Sequence, residues 1–260
     1  MSPMSSSART SSISFTITPI LCRSPSPRLV KTPVVTTIHG FSSDRILPVF
    51  RAYDDHVHYV AISAADRNAD LHYAATIHHG IQLEDFPFDP HGSEDLLFFG
   101  RIHPDKGTAE AIATARRASR RLVMYGIVQD QHYHNEQVAS ALDDRFVVYR
   151  GPVGGSARTK ALGSARALLH LINFDEPFGL SVVEALACGT PVIASNRGSM
   201  PELIDHGVTG FLVDNVDEAV DAIARVGEID RAACRAAVSE RFTVERMADR
   251  YLDLYRSLLG

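Results

Sequence analysis

From about residue 94 onward the chain alternates short apolar runs with segments of helical period, and no other feature restricts its fold as strongly. The runs Leu96–Gly100, Arg121–Gly126, Phe146–Tyr149, Ala167–Ile172, Val192–Ala194 and Gly210–Val213 are predicted strands. Helices are predicted between them at about 108–119, 132–141, 156–164, 179–188 and 200–205, then near 216–226, 230–240 and 243–258. Strands separated by helices imply βαβ units and a parallel sheet covered on both faces. Further upstream, Pro33–Gly40, Tyr59–Ser63 and Ala75–Ile81 read as strands, and Ala64–Asp70 as a helix with Ser63 as its N-cap. A chain of 260 residues, 45% hydrophobic and 22% charged, can bury one large core or two modest ones.

The densest chemical signal lies in residues 173–194. Glu176 and Glu184 stand eight positions apart, with Phe178-Gly179 between them. A short helix is expected from about Gly179 to Cys188. Gly189 supplies the left-handed residue a helix end prefers, and Pro191 stops the helix from continuing. Glu184 sits among Val182, Val183, Ala185, Leu186 and Ala187, so it should be at least partly buried, and a buried carboxylate needs a hydrogen-bonding partner. The start of the helix offers free N–H groups and a positive dipole end, which suits phosphate. Phosphate there and a polyol against two carboxylates together suggest a nucleotide-sugar.

A second loop, Phe99-Gly100-Arg101-Ile102-His103-Pro104-Asp105-Lys106-Gly107, follows the first strand of this region. Strand-to-helix loops at the carboxyl edge of a parallel sheet are where such folds bind ligands. Arg101 and Lys106 give the loop two cations suited to a diphosphate. Gly198 and Ser199 read as close-approach positions near the same ligand, and Glu202 as mainly structural. Gly151–Gly155 is either a loop near a nucleotide base or a plain turn; it follows the third strand, so it is not a dinucleotide fingerprint.

These blocks resemble the family 4 retaining glycosyltransferases, which have the two-domain GT-B fold. The hallmark is a Glu, seven residues and a second Glu, with Phe-Gly soon after the first, as in Glu176-Pro177-Phe178-Gly179 through Glu184. The segments Asn196–Ile204 and Gly207–Val213 also resemble the family. The resemblance implies that Glu176 contacts the transferred sugar and Glu184 the ribose. It implies that Gly179 and Leu180 amides donate to sugar and diphosphate, with Phe178 and Gly100 beside them, and that Arg101 and Lys106 stabilise the departing nucleoside diphosphate. It places His39, at the end of the strand Pro33–Gly40, against the donor sugar across the cleft; the ordinary alternative is a neutral structural histidine. His79 replaces the Asn that the family often writes before Gly-Ile. The implied fold is α/β and GT-B-like. It has a partial N-terminal Rossmann-like domain over 32–88, a hinge at 89–93, a complete donor-binding domain over 94–242, and a C-terminal helix over 243–260 that packs back on the first part.

Composition narrows the remaining classes. A net charge of −5 argues against a general nucleic-acid binder. Cys22, Cys188 and Cys234 form no Cys-x-x-Cys, which fits a reduced, cytoplasmic setting and no zinc site. Among twelve His, the adjacent His78 and His79 point to opposite strand faces, His132 and His134 lack an evident third ligand, and His56 with His58 reads as a solvent-exposed pair. No metal and no cofactor are therefore expected, the nucleotide-sugar being substrate. No apolar run approaches the ~20 residues a bilayer demands, so any membrane contact would be peripheral.

The departure from the family pattern lies at the start. Residues 1–31, with seven Ser in the first fourteen and no acid before Asp44, read as a disordered or non-native leader. The segment can mimic a transit peptide, but its amphipathic pattern is weak, so a truncated or mis-started frame is preferred. Missing early strands would leave sheet edges open to self-association. The sequence thus supports a retaining hexosyltransferase acting on an unknown acceptor (glycan, lipid or small molecule). The alternative is a non-catalytic nucleotide-sugar-binding remnant or one half of a split enzyme. A nucleotide-sugar epimerase of related fold is disfavoured by the two-glutamate pattern.

Overall fold

The computed structural model of the chain describes residues 14–17, 32–40 and 45–260. Apart from Ser14–Ile17, the leader expected over 1–31 lies outside them, as does Cys22.

The first sheet is four-stranded and wholly parallel: β1 (Ser14–Ile17), β2 (Val34–Ile38), β3 (His58–Ala61) and β4 (Tyr73–Thr76) in spatial order β1-β2-β3-β4. α1 (Leu47–Tyr53) links β2 to β3. The β-branched run Val-Val-Thr-Thr-Ile of β2 suits a strand covered on both sides. Successive residues face opposite ways: Val34 and Ile38 pack with Leu47, Val57 and Tyr59, whereas Val35 packs with Val60, Ile77 and Leu254.

Three expectations change here. Ser14–Ile17, expected in a structureless leader, pairs in register with β2, so β2 has a neighbour on each side. Its apolar residues are diluted by Ser and Thr, which hid the strand. No helix forms over Ala64–Asp70. Ser63 Oγ does accept from the Asp66 amide at 3.0 Å, but Asn68 Oδ1 takes the Asp70 amide at 2.9 Å and turns the chain instead. The strand expected to reach Ile81 ends at Thr76.

The second sheet is six-stranded. In chain order its region holds β5 (Leu96–Phe99), α2 (Thr108–Arg117), β6 (Leu122–Tyr125), α3 (Gln131–Tyr133), β7 (Val147–Tyr149) and α4 (Gly155–Ser164). There follow β8 (Ala167–His170), α5 (Leu180–Ala187), β9 (Val192–Ser195), α6 (Met200–Leu203), β10 (Gly210–Val213), α7 (Val216–Arg225) and α8 (Arg231–Arg241). The helix predicted over 132–141 is broken: α3 passes into a widened π turn at His134–Val138 and a tight turn at Ala139–Ala141. The spatial order is β10-β9-β8-β5-β6-β7, all parallel. The chain therefore winds outward from β5 to one side through β7, then returns to β8 and winds to the other. β5 and β8 are neighbours at the point where the order reverses, the crevice where open parallel sheets bind ligands.

α9 (Val244–Leu259) crosses back to the first sheet, where Leu254 joins Val35, Val60 and Ile77, and Tyr251 OH lies 2.7 Å from Thr37 Oγ1. The two passages of the chain between the sheets run side by side. The Ile81 amide donates to the Phe242 carbonyl and the Val244 amide to the Ile81 carbonyl. The hinge expected at 89–93 is instead fastened to the second half. Arg231 Nε donates to the Asp89 carbonyl at 2.7 Å, and the Asp89 amide donates to the Cys188 carbonyl at 3.0 Å. Arg235 holds the Phe86 carbonyl next to it. Pro87 and Pro90 give this stretch a linker's composition, and the arginines that pin it lie far away in sequence.

Gly107, between the Lys106 loop and α2, has φ +67°, and a Cβ there would overlap the Leu171 carbonyl oxygen. Gly107→Ala should therefore destabilise the fold by about 2 kcal/mol or more, since both backbone strain and a close approach of main chain oppose it. Urea unfolding of the two proteins measures the difference.

Candidate functional site

A cleft of about 370 Å³ opens at the β5–β8 crevice and is walled on its far side by the first half of the chain. Gly100, Arg101 and Lys106 line it from the loop after β5; His170, Glu176 and Phe178–Ser181 line it from the end of β8 and the start of α5; His39, Ile62 and His79 face them. Two loops adjacent in the sheet but 70 residues apart in sequence thus deliver one acid and one base to the same place.

Glu176 is the electrostatic centre. Its Oε2 is ion-paired with Lys106 Nζ, and His170 Nε2 lies 3.5 Å from the same oxygen. Burial opposes ionisation of this carboxyl, but His170 and Lys106 outweigh it and hold the group down at about 2. Oε1 carries no hydrogen bond among the described residues, so a charged acceptor points toward the cleft with one oxygen anchored and one free. Lys106 Nζ also sits 4.6 Å from the centroid of the Phe174 ring, within cation–π reach.

The second carboxylate behaves differently. Glu184 is 5% exposed on the second turn of α5, and Arg158 of α4 pairs with its Oε2. Burial pushes its carboxyl up, opposed by Arg158. Arg158 lies 5.8 Å from the Phe99 ring centroid, which places it between α5 and β5. Glu184 does not line the cleft with Glu176; it lies beyond the start of α5, on the side of α4.

Gly179, φ +99°, turns the chain into α5. Val182 and Val183 donate to its carbonyl, while the amides of Gly179, Leu180 and Ser181 have no partner among the described residues. They form an anion-ready helix start open to the cleft. Leu180 is 46% exposed there, whereas Phe178 is buried edge-on against His79 and Phe242.

Gly198 and Ser199, expected beside the ligand, do not reach the cleft. A Cβ on Gly198 (φ +55°) would meet the Glu176 main chain. Ser199 is fully buried, its amide donating to the Glu176 carbonyl at 3.0 Å and its hydroxyl to the Phe178 carbonyl at 2.5 Å. Both residues brace the Glu176 loop from behind. Glu202, in α6, accepts from the Ala64 amide at 2.9 Å and the Ala65 amide at 3.0 Å, and His78 Nε2 lies 2.9 Å from its Oε2. It joins the second half to the first.

Arg101 reaches the cleft with its guanidinium on Gln129 Oε1. Gly100 donates to the Tyr125 carbonyl and keeps the strand in place up to the cleft. His39 is stacked on His79, ring centroids 5.1 Å apart at 12°, with Nδ1 of one 3.4 Å from Nε2 of the other. Burial, with His39 and His78 close by, drives His79 down to about 4, and burial also lowers His39. Two neutral imidazoles near pH 7 offer N–H and lone pair to a hydroxylated ligand rather than charge to an anion.

His170 and Arg158 escaped the sequence reading. A polar residue closing a buried parallel strand at its carboxyl end was the available signal for His170. A base just after the Gly-rich stretch was the signal for Arg158.

The family model described as "Glycosyl transferases group 1" matches residues 93–228, more than half of the chain. The chain belongs to that family. It is 32% identical over 189 residues to a D-inositol 3-phosphate glycosyltransferase of Saccharomonospora viridis, a match covering 64% of this chain and 43% of that protein. It is 41% identical over 185 residues to the protein of the same name from Mycobacterium leprae, covering 64% and 42%. The chain spans less than half the length of the curated relatives it matches. Among solved structures it resembles a glycosyltransferase involved in avilamycin A biosynthesis, with 25% identity, a TM-score of 0.69, and 88% of this chain and 69% of the other covered. It also resembles Anabaena HepE in complex with UDP-glucose, with 21% identity, a TM-score of 0.73, and 87% and 73% covered. The fold is GT-B-like, α/β with parallel sheets. Among the described residues no helix is long and apolar enough to cross a membrane.

The depressed His79 makes a pH prediction. An unfolded histidine takes up its proton near 6.5, whereas folded His79 resists protonation down to about 4. Its contribution to stability is thus complete above pH 6.5 and is lost as pH falls from 6.5 toward 4. His79→Asn should flatten the stability-versus-pH slope in that window relative to the unmodified chain, read by urea unfolding at stepped pH. Parallel slopes would contradict the assignment.

Proposed function

We propose that the chain carries the donor site of a retaining, metal-independent family 4 glycosyltransferase that moves a sugar from a nucleoside-diphosphate sugar to a glycan, lipid or small-molecule acceptor in the cytoplasm. The observation that carries this reading is the convergence, at the β5–β8 crevice, of Lys106, Glu176 and the unbonded amides of Gly179–Ser181. The UDP-glucose complex of the structurally similar HepE supports a nucleotide-sugar in such a fold. In this reading the diphosphate lies across the start of α5 between Arg101 and Lys106. Cations and oriented amides there stabilise charge that develops on the leaving group. Glu176 Oε1 accepts from hydroxyls of the transferred sugar, and the His39–His79 pair closes the opposite wall. Glu184 takes the ribose hydroxyls after exchanging part of its contact with Arg158. The acceptor hydroxyl attacks from the leaving-group face, its proton passing to the departing phosphate, so no carboxylate is needed as base.

A second reading, a nucleotide-sugar-binding module without turnover, is favoured by the width of the first sheet, four strands among the described residues against six in the second. Acceptor recognition in this reading needs a partner chain or further sequence. A screen of UDP-, GDP- and ADP-sugars against mixed acceptors separates the two. Product with the anomeric configuration of the donor supports the transferase, and donor binding without product supports the module.

Two expected outcomes test the donor site itself. Calorimetry with UDP, GDP and ADP should find binding of at least one, and Arg101→Ala should weaken it by ~1.5–3 kcal/mol, the range for a hydrogen bond to a charged group. No binding of any of the three by folded protein would overturn the proposal. The two glutamates should fail differently: Glu184→Ala weakens free nucleotide and nucleotide-sugar alike, whereas Glu176→Ala spares the free nucleotide and acts on the sugar. Equal loss of free-nucleotide affinity in both would contradict their assignment.

A further inference from the structure

Lys106 has two anions to serve. It is ion-paired with Glu176 Oε2, and in the donor complex proposed above it faces the diphosphate. An ammonium drawn toward two phosphates leaves Oε2 with a weaker partner, in a place where burial already opposes its charge. His170 meets no such competition. It closes β8 facing the same oxygen, it is 5% exposed, and its Nε2 has no hydrogen-bond partner among the described residues while standing 3.5 Å from Glu176 Oε2. Buried ring nitrogens are normally satisfied by a carbonyl or a carboxylate. This one is aimed at a carboxylate, a little beyond hydrogen-bonding distance, with Lys106 as that oxygen's present partner.

We propose that His170 is a positioning residue for Glu176: it takes over Oε2 when Lys106 turns to the diphosphate, and so keeps Oε1 directed at the sugar. The hand-over to diphosphate rests on the donor-site reading; the contact between His170 and Glu176 does not. The charged and titratable groups that line the cleft around Glu176 are Lys106 and Arg101 from the loop after β5, His170 from β8, and His39 with His79 from the first half. Of these, His170 and Lys106 alone lie within ion-pair distance of the carboxylate among the described residues. A lysine on a four-carbon stem can swing between two anions. An imidazole fixed at the end of a buried strand cannot, which suits it to hold the carboxylate still.

The test removes Lys106 in two ways and reads the Glu176 carboxyl directly. Protein labelled with ¹³C at the glutamate carboxyls is titrated by NMR, with Glu176→Gln to assign the resonance. In Lys106→Met, Glu176 should still titrate below the ordinary glutamate value, because His170 remains. In Lys106→Met/His170→Leu the midpoint should rise by about one unit or more, the usual effect of removing a group that favours the ionised carboxylate. Lys106→Met/His170→Gln, which retains an N–H donor but not the imidazole, should fall between them. It decides the matter should the leucine variant fail to fold by circular dichroism. Addition of UDP to His170→Leu with Lys106 intact should raise the Glu176 midpoint, while the same addition to the unmodified chain leaves it low. Identical midpoints in Lys106→Met with and without His170 would overturn the proposal. Failure of UDP to bind would count against the donor site, while the Lys106→Met comparison would still decide the role of His170.

Discussion

The reversal of strand order between β5 and β8 is the constraint from which the site follows. A right-handed βαβ crossover places its helix over the sheet, so loops along one winding direction are separated from each other by their own helices. Where the winding turns back, the loops after β5 and β8 face each other with no helix between them. Lys106 and Glu176 meet there, as do Arg101 and the free amides of α5. The tight passage of Gly107 past the Leu171 carbonyl shows how closely the two loops are drawn together, since a side chain at that point would part them. A carboxylate and an ammonium brought so close in a half-buried crevice form a preset charge arrangement, and its geometry belongs to the sheet rather than to either loop.

Within that arrangement two glutamates of one helix region acquire opposite character. Both are removed from water, which by itself disfavours their ionised forms. Glu176 has two cation-capable partners from separate strands and is held low, while Glu184 has a single arginine and is raised. The difference is one of topology: Glu176 lies at the crevice where β5 and β8 both contribute, and Glu184 lies a turn and more further on, paired with Arg158 of α4. A group held firmly anionic suits hydroxyl donors of a sugar.

The periodic part of the fold was legible in the sequence because each strand of the second sheet is a short apolar run closed by turn residues, and helices such as α2, α4 and α7 are long enough to show their period. β10 coincides with the expected run Gly210–Val213, and the other strands differ from theirs by a residue or two at the ends. The helix that carries Glu184 was legible for the same reason, being local. What escaped depends on partners distant in the chain. Nothing near the expected hinge at 89–93 announces Arg231, which holds Asp89, or Arg235, which holds Phe86 just before it. His170 is the exception, only six residues before Glu176: Ala167–Ile172 was recognised as a strand, but side-chain direction at a strand end follows from register. Ser199 went the other way: its position in a resembling motif suggested contact with ligand, and full burial assigns it to the loop's scaffold. Ser14–Ile17 was hidden by composition, since a strand supplied by Ser and Thr carries little hydrophobic signal.

α6 shows how the two halves of the chain bear on one loop. At its start, Ser199 binds the Glu176 and Phe178 carbonyls, which fixes the main chain that presents the carboxylate. Two residues into the helix, Glu202 accepts from Ala64 and Ala65 and lies on His78, all three in the first half. Backbone amides bonded to a charged acceptor are among the stronger hydrogen bonds available to a protein. A helix of four residues is too short to flex between its ends. Through α6, Glu202 and Ser199 thus link the Ala64–Ala65 turn to the Glu176 loop. Phe178, packed edge-on against His79 and Phe242, lies between the same two bodies and adds a second path. The far wall of the cleft and the Glu176 loop are in this way joined by contacts that cross from one sheet to the other.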